Sequence, residues 1–322
     1  MLKCTVFLLL VLSLTWAYPT TKKDLSETEL IQWLDRYGYL LSSDRLSESV
    51  SLMQRYAGIK ATGTLDKKTK SYLKRSRCHL TDMNSEARQY YSKHLEEQME
   101  VGKTSAGTYG RWNHSIITWS IAYYQQNRDP YLVSFERATT LIRHAFNLWQ
   151  RAIPNLRFIE LEEPRSPTDI EIWMKLHDPQ LTNNRDLGYT IFPSTNTRAD
   201  GDIHLNVNVS WWMGFDFPYG ARNDFLSTVL HEIGHSLGLK HSPNSLEIMY
   251  PYNLHVFRHI PIQDAVRANR LYSRALPPVM RTNRITVLKR KRCFRQRFGD
   301  RMMRPKEDGI LCTPEEVVGQ QN

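Results

Sequence analysis

The sequence predicts an α+β fold: a sheet with helices packed on it, preceded by a small bundle of three helices. Three observations carry this reading. Residues 24–75 show apolar side chains at helical spacing and no strand alternation. From residue 116 onward, short alternating stretches interleave with long amphipathic helices. A polar segment, 83–110, separates the two halves.

The elements follow in order. "MLKCTVFLLLVLSLTWA" places Lys3 before an apolar run ending at the small Ala17, the pattern of a cleaved secretory signal (1–17) and too short for a comfortable membrane span. "LSETELIQWLDRYGYL" aligns Leu30, Ile31, Leu34 and Tyr37, with Ser26 and Glu29 as a capping box. "LSESVSLMQRYAGI" aligns Val50, Met53 and Tyr56, and "TGTLDKKTKSYL" reads as a turn entering a third helix. Residues 83–110 read as a linker, with some helix around "SEARQYYSKHLEEQM". "IITWSI", "LRFIEL", "DIEIWMKL" and "GDIHLNVNV" read as strands. "SFERATTLIRHAFNLWQRA" puts Ala138, Leu141, Ile142, Ala145, Phe146 and Trp149 on one face. "NDFLSTVLHEIGHSLGL" is helical with Asn223 as its expected N-cap, and "IQDAVRANRLYS" is the last helix. Pro277 and Pro278 mark the exit into a tail, where residues 274–306 carry twelve Lys and Arg against the single Asp300. Such a tail attracts polyanions, and in a secreted chain these are sulfated glycans or anionic surfaces rather than nucleic acid.

Secretion makes the cysteines informative. Cys4 leaves with the signal. Cys293 and Cys312 are close enough in sequence to close a small disulfide loop, which leaves Cys78 odd. A stray thiol in an oxidising compartment needs masking or ligation; the other readings of Cys78 are a free thiol or an intermolecular disulfide partner.

The motif that carries chemistry is "HEIGHSLGLKH", 231–241. On a helix, His231 and His235 project from one face with Glu232 beside them. Gly238 ends the helix in a left-handed turn that returns His241 as a third ligand. Three neutral imidazoles with one open position suit a catalytic zinc, whose bound water ionises readily, and Glu232 takes that proton and passes it to the leaving amine. The competing reading is an amphipathic helix whose histidines align by chance.

Together with Ser242 and "IMYP", this stretch resembles the metzincins, and within them the matrixin branch, the matrix metalloproteinases. The resemblance covers about 24–274. It implies a metzincin-type catalytic domain, a twisted, mostly parallel five-stranded sheet with three helices, over 107–275, preceded by a propeptide over 18–106 and followed by the basic tail 276–322. Met249 matches the family's Met-turn. "YGYL", "MQRYAGI" and "TGTLD" are similar to its propeptide, and "SRCHLTD" lies where the family carries its inhibitory switch, PRCGxPD. The resemblance therefore implies that Cys78 occupies the zinc's fourth position in the latent form, with Arg77 and Asp82 holding the loop. Ser76, His79 and Thr81 replace the pattern's Pro, Gly and Pro, so latency is expected to be weaker than usual.

Further departures bear on metals. In place of the family's structural zinc ligands the chain has "LHDPQ", "LGYTIFP" and "GDIHLN". His204 survives, Tyr189 stands at the middle histidine, and Asp178 directly follows His177. Asn206, Val207 and Asn208 replace acidic calcium ligands. One catalytic Zn2+ is expected; the structural zinc and neighbouring calcium site are expected to be degraded or absent. No four-bladed propeller is expected after the catalytic domain. The resemblance also places substrate against an edge strand at Leu187 and Gly188, in a pocket walled by Pro251, Tyr252 and Asn253, with Ser227 leaving depth for large apolar side chains. "NHS" at Asn113 and "NVS" at Asn208 are glycosylation candidates.

These readings combine into a secreted, monomeric zinc endopeptidase made as a zymogen. It acts on extracellular proteins after another protease, or self-cleavage, cuts within the linker. No transmembrane anchor and no nucleic-acid partner are expected. The alternative is a matrix- or glycan-binding protein that works through its tail, with the protease fold as scaffold.

Overall fold

A computed structural model describes residues 25–273 except 95–96, 100–109, 125–133, 162–167, 182, 194–199 and 217–221. The expected signal, the basic tail and the Cys293–Cys312 pair lie outside the described residues.

The N-terminal unit is a bundle of α1 (Glu27–Arg36), α2 (Leu46–Tyr56), α3 (Lys67–Leu73) and α4 (Ser85–Lys93). Each expected start signal is realised where a short polar side chain precedes the helix. Ser26 and Glu29 form the capping box, and Asp66 accepts from the Thr69 N–H. The fourth helix corrects the linker reading. Asn84 caps it, and Ala87 and Tyr91 bury against Leu34, Met53 and Tyr56, so the first part of 83–110 belongs to the bundle core. Tyr250 and Tyr252, from the second half of the chain, complete that same core.

The second unit is a five-stranded sheet of β1 (Ile116–Tyr124), β2 (Arg157–Glu160), β3 (Ile170–Lys175), β4 (Gly188–Thr190) and β5 (Ile203–Asn206), in the order β2-β1-β3-β5-β4. All pairings are parallel except β4 with β5, as the mostly parallel sheet requires. Ile170, Ile172 and Met174 are buried at every second position of β3. They face α5 (Phe135–Ala152), which buries Ala138, Leu141, Ile142, Ala145, Phe146 and Trp149. Below α5 lies α6 (Phe225–Ser236), entirely buried, tied to it by the Trp149 Nε1–H donating to Leu230 O at 2.9 Å. The last helix is α7 (Ile262–Leu271). Two-residue strands β6 (Trp211–Trp212) and β7 (Asn223–Asp224) pair just before α6. That pairing moves the helix cap: Asn223 is extended and bonded to Ser210, so Asp224, not Asn223, accepts from the Ser227 N–H.

Candidate metal and peptidase centre

α6 sets His231 and His235 one turn apart, and its end is fixed by two glycines. Gly238 has φ +89°, the left-handed region that suits glycine. Gly234 lies against the Met-turn: a Cβ there would sit 2.3 Å from Met249 Sδ. After Gly238 the chain reverses and returns His241. The Nε2 atoms of His235 and His231 are 3.0 Å apart, those of His231 and His241 3.2 Å, and Cys78 Sγ is 3.7 Å from His235 Nε2. These four buried ligand atoms all lie within 4.8 Å of one another.

The donor set fits zinc. His231 Nδ1 is 2.7 Å from Ile248 O, and His235 Nδ1 is 2.8 Å from Leu239 O. Nδ1–H donation to these carbonyls leaves each Nε2 lone pair facing the centre. Burial keeps the rings neutral, lowering His231 to about 3 and pushing His235 and His241 down as well. His241 differs from the other two. Its Nδ1 faces Asp82 Oδ1 at 2.7 Å, out of line for a straight ring N–H bond, so its outer partner comes from the N-terminal bundle.

Glu232 is fully buried beside the cluster. Burial raises its carboxyl to about 7 against the opposing pull of the Thr190 hydroxyl, which donates to Oε2 at 2.7 Å. Its Oε1 makes no hydrogen bond of ordinary geometry among the described residues, and the Cys78 thiol also faces this carboxyl. Behind the cluster, Asp264 accepts from the Ile248 N–H at 2.8 Å, so α7 braces the carbonyl that orients His231. Thr190 and Asp186 are site residues that the reading of motifs passed over; neither belongs to the histidine motif.

The segment carrying Cys78 threads the cleft as a strand between two walls. Arg77 N–H donates to Arg185 O and Leu187 N–H to Arg77 O, each at 2.8 Å. On the same wall His79 N–H donates to Gly188 O at 2.9 Å, and on the other Cys78 N–H donates to Pro251 O at 2.8 Å. The segment runs parallel to the edge at Asp186 and antiparallel to Tyr252. Arg77 is buried: its Nη2 donates to Asp82 at 2.6 Å, its Nη1 to the Tyr252 hydroxyl at 3.1 Å, and its guanidinium lies 3.5 Å from the Tyr37 ring centroid. The structure thus brings together Arg77, Cys78, Asp82, Leu187, Gly188, Glu232 and the three histidines. A cavity lies beside them, lined by Leu187, Ser227, Pro251, Tyr252 and Asn253 among others.

A sequence profile of the Matrixin family matches residues 111–273, half of the chain. The chain belongs to the matrixin family. It is 28% identical to human matrix metalloproteinase-16 over 239 residues, covering 68% of this chain and 37% of that one. It is 30% identical to human matrix metalloproteinase-15 over 248 residues (70% and 35%). With matrix metalloproteinase-A of Caenorhabditis elegans it shares 27% over 241 residues (72% and 42%). The chain spans about two fifths of the length of these relatives. The matrixin domain is a zinc peptidase domain, and among the described residues Cys78, His231, His235 and His241 form the group that could hold a metal ion.

The three residues at the usual place of the matrixin structural zinc bond directly to each other. His204 Nδ1 is 3.0 Å from Asp178 Oδ2, the Tyr189 hydroxyl is 3.3 Å from both Asp178 oxygens, and the Tyr189 and His204 rings stack at 4.4 Å. Asp178 arrives there despite its position in sequence, whereas His177 is exposed. Asn113 and Asn208 are both exposed. No helix among the described residues is long and apolar enough to cross a membrane.

Proposed function

We propose that this matrixin is a secreted endopeptidase made latent, with residues 18–106 as its propeptide and Cys78 as the ligand that keeps water from the metal. The observation that carries the reading is the buried thiol of Cys78 converging with three imidazoles next to Glu232. Zinc on those imidazoles supplies a Lewis acid that activates water and polarises a carbonyl. Glu232 takes the proton of the attacking water and returns it to the departing amine, a role suited to a carboxyl poised near neutrality. Thr190 holds that carboxylate by one oxygen and leaves the other for the proton.

Substrates are extracellular proteins whose backbone takes the track that the propeptide strand vacates along Leu187 and Gly188. The residue after the scissile bond enters the cavity at Ser227. The Ser227 hydroxyl is already consumed there, donating to Asp224 at 2.6 Å and accepting from the Phe257 N–H at 2.8 Å. A large apolar side chain therefore buries no orphaned hydroxyl. The intact Glu232 favours an enzyme over a scaffold whose tail does the binding. The test is proteomic cleavage profiling of the processed chain against Glu232→Ala, each with its zinc content measured. The reading expects turnover only with Glu232 and zinc in both; turnover in the variant near wild type refutes it.

A further inference from the structure

Asp186 immediately precedes the two edge residues along which the propeptide strand runs. It is 1% exposed, and its carboxylate has four side-chain partners, three hydrogen-bonded and one in an ion pair. Asn183 Nδ2 donates to Oδ2 at 2.6 Å. The other three come from the propeptide: the Tyr37 hydroxyl on Oδ1 at 3.0 Å, and on Oδ2 the His79 Nδ1 at 3.1 Å and Arg36 Nη1 at 3.5 Å. The backbone of Asp186 is held by its own domain, with its N–H on Asn183 Oδ1 at 3.1 Å and its carbonyl on Asn206 Nδ2 at 2.7 Å. Removing the propeptide thus leaves the carboxylate in place, beside the cleft, with one side-chain partner where it had four.

Two of the three lost partners are basic residues, and one of them, His79, sits on the backbone track itself. Its N–H pairs with Gly188 O, and its ring reaches back along the edge to Asp186, 6.1 Å from the Tyr189 ring. A side chain that substrate presents from the same track meets the same carboxylate. Once the propeptide leaves, water takes the place of these partners, and a substrate cation that covers the carboxylate again regains the charge-assisted contacts that His79 and Arg36 made. We propose that Asp186 is an acidic subsite of the processed enzyme that selects an arginine or lysine side chain in the substrate, at a position distinct from the residue that enters the cavity at Ser227, and that His79 and Arg36 fill it in the latent chain. A guanidinium suits it better than an ammonium, because its fork reaches both oxygens. This inference rests on the protease reading above.

The experiment uses the full chain purified with its zinc, then processed by limited proteolysis in the linker. A peptide library locates the position at which Arg is enriched, and matched peptides carrying Arg or its neutral isostere citrulline at that position are compared. The wild-type kcat/KM ratio of Arg over citrulline should be about tenfold, the scale of one charge-assisted hydrogen bond, carried in KM. The ratio should collapse to about one in Asp186→Asn and return in Asp186→Glu. The citrulline comparison on the wild type keeps the inference testable if the variants fail to fold. A wild type that cleaves peptides with no basic preference at any position, or an Asp186→Asn enzyme that keeps the ratio, overturns the inference and leaves the protease reading standing. A wild type that cleaves nothing overturns both.

Discussion

Arg77→Ala removes the guanidinium on which the seating of Cys78 depends. In the docked chain Arg77 and Asp82 are 2% and 0% exposed, so their pair is not screened by water. The substitution strands Asp82 in that setting, and the Cys78 carbonyl and the Tyr252 hydroxyl lose their Arg77 donor at 3.0 and 3.1 Å. Breaking a buried pair from one side costs about 3–5 kcal/mol. Asp82 keeps the Tyr39 hydroxyl at 2.6 Å, which argues for the lower end. An undocked loop hydrates its orphaned carboxylate, so the penalty falls on the docked state alone. At about 1.4 kcal/mol per tenfold, the open population of the unprocessed chain should rise by roughly a hundredfold. The assay is hydrolysis of a quenched fluorescent peptide by full-length chain under protease inhibitors that spare metalloenzymes, with a gel to show that no cleavage has occurred. Arg77→Lys should fall between wild type and alanine, since an ammonium keeps the charge but not the fork. An Arg77→Ala chain as silent as wild type would refute the reasoning.

Three further outcomes follow from the same geometry. Asp82→Asn weakens the outer partner of His241, so zinc loss to a chelator from the unprocessed chain should quicken by roughly 10–100-fold, with no change once residues 18–106 are removed; equal rates before processing would contradict it. Gly234→Ala places a methyl 2.3 Å from Met249 Sδ, and the overpacking should cost about 1–3 kcal/mol in denaturant unfolding while leaving the histidines in sequence untouched. Elemental analysis of the processed domain should find one zinc per chain, and Tyr189→Phe, which removes the hydroxyl bond to Asp178, should cost about 1 kcal/mol without changing that count. Two zincs would show that His204 and Asp178 still hold a metal.

The bundle helices and the metal motif were legible in the sequence because their signals are local. Capping residues sit within a turn of the helices they start, and His231, His235 and Gly238 act within one helix and its exit. The edge strand β4 was placed by resemblance rather than periodicity, since three residues are too few to show alternation. Asn223 and Asp224 are equally good caps by type; the pairing of Asn223 with Trp211 decides between them, and pairing is a tertiary fact. α4 was half hidden because its polar exterior reads as linker until Ala87 and Tyr91 meet their partners. Asp186 and the contact between Asp82 and His241 join residues far apart in the chain, in neither case through a spacing that a motif records. His79 shows how a departure from a family pattern carries information. It stands where the pattern has glycine, and its side chain bonds to Asp186 from the cleft while its N–H keeps the edge pairing.

Zinc K-edge X-ray absorption on the full-length chain, before and after removal of residues 18–106, tests the account most directly. It predicts three nitrogen neighbours and one sulfur near 2.3 Å before processing, and an oxygen in place of the sulfur afterwards. A precursor spectrum without sulfur would contradict the role of Cys78, and a processed chain without zinc would contradict the peptidase itself.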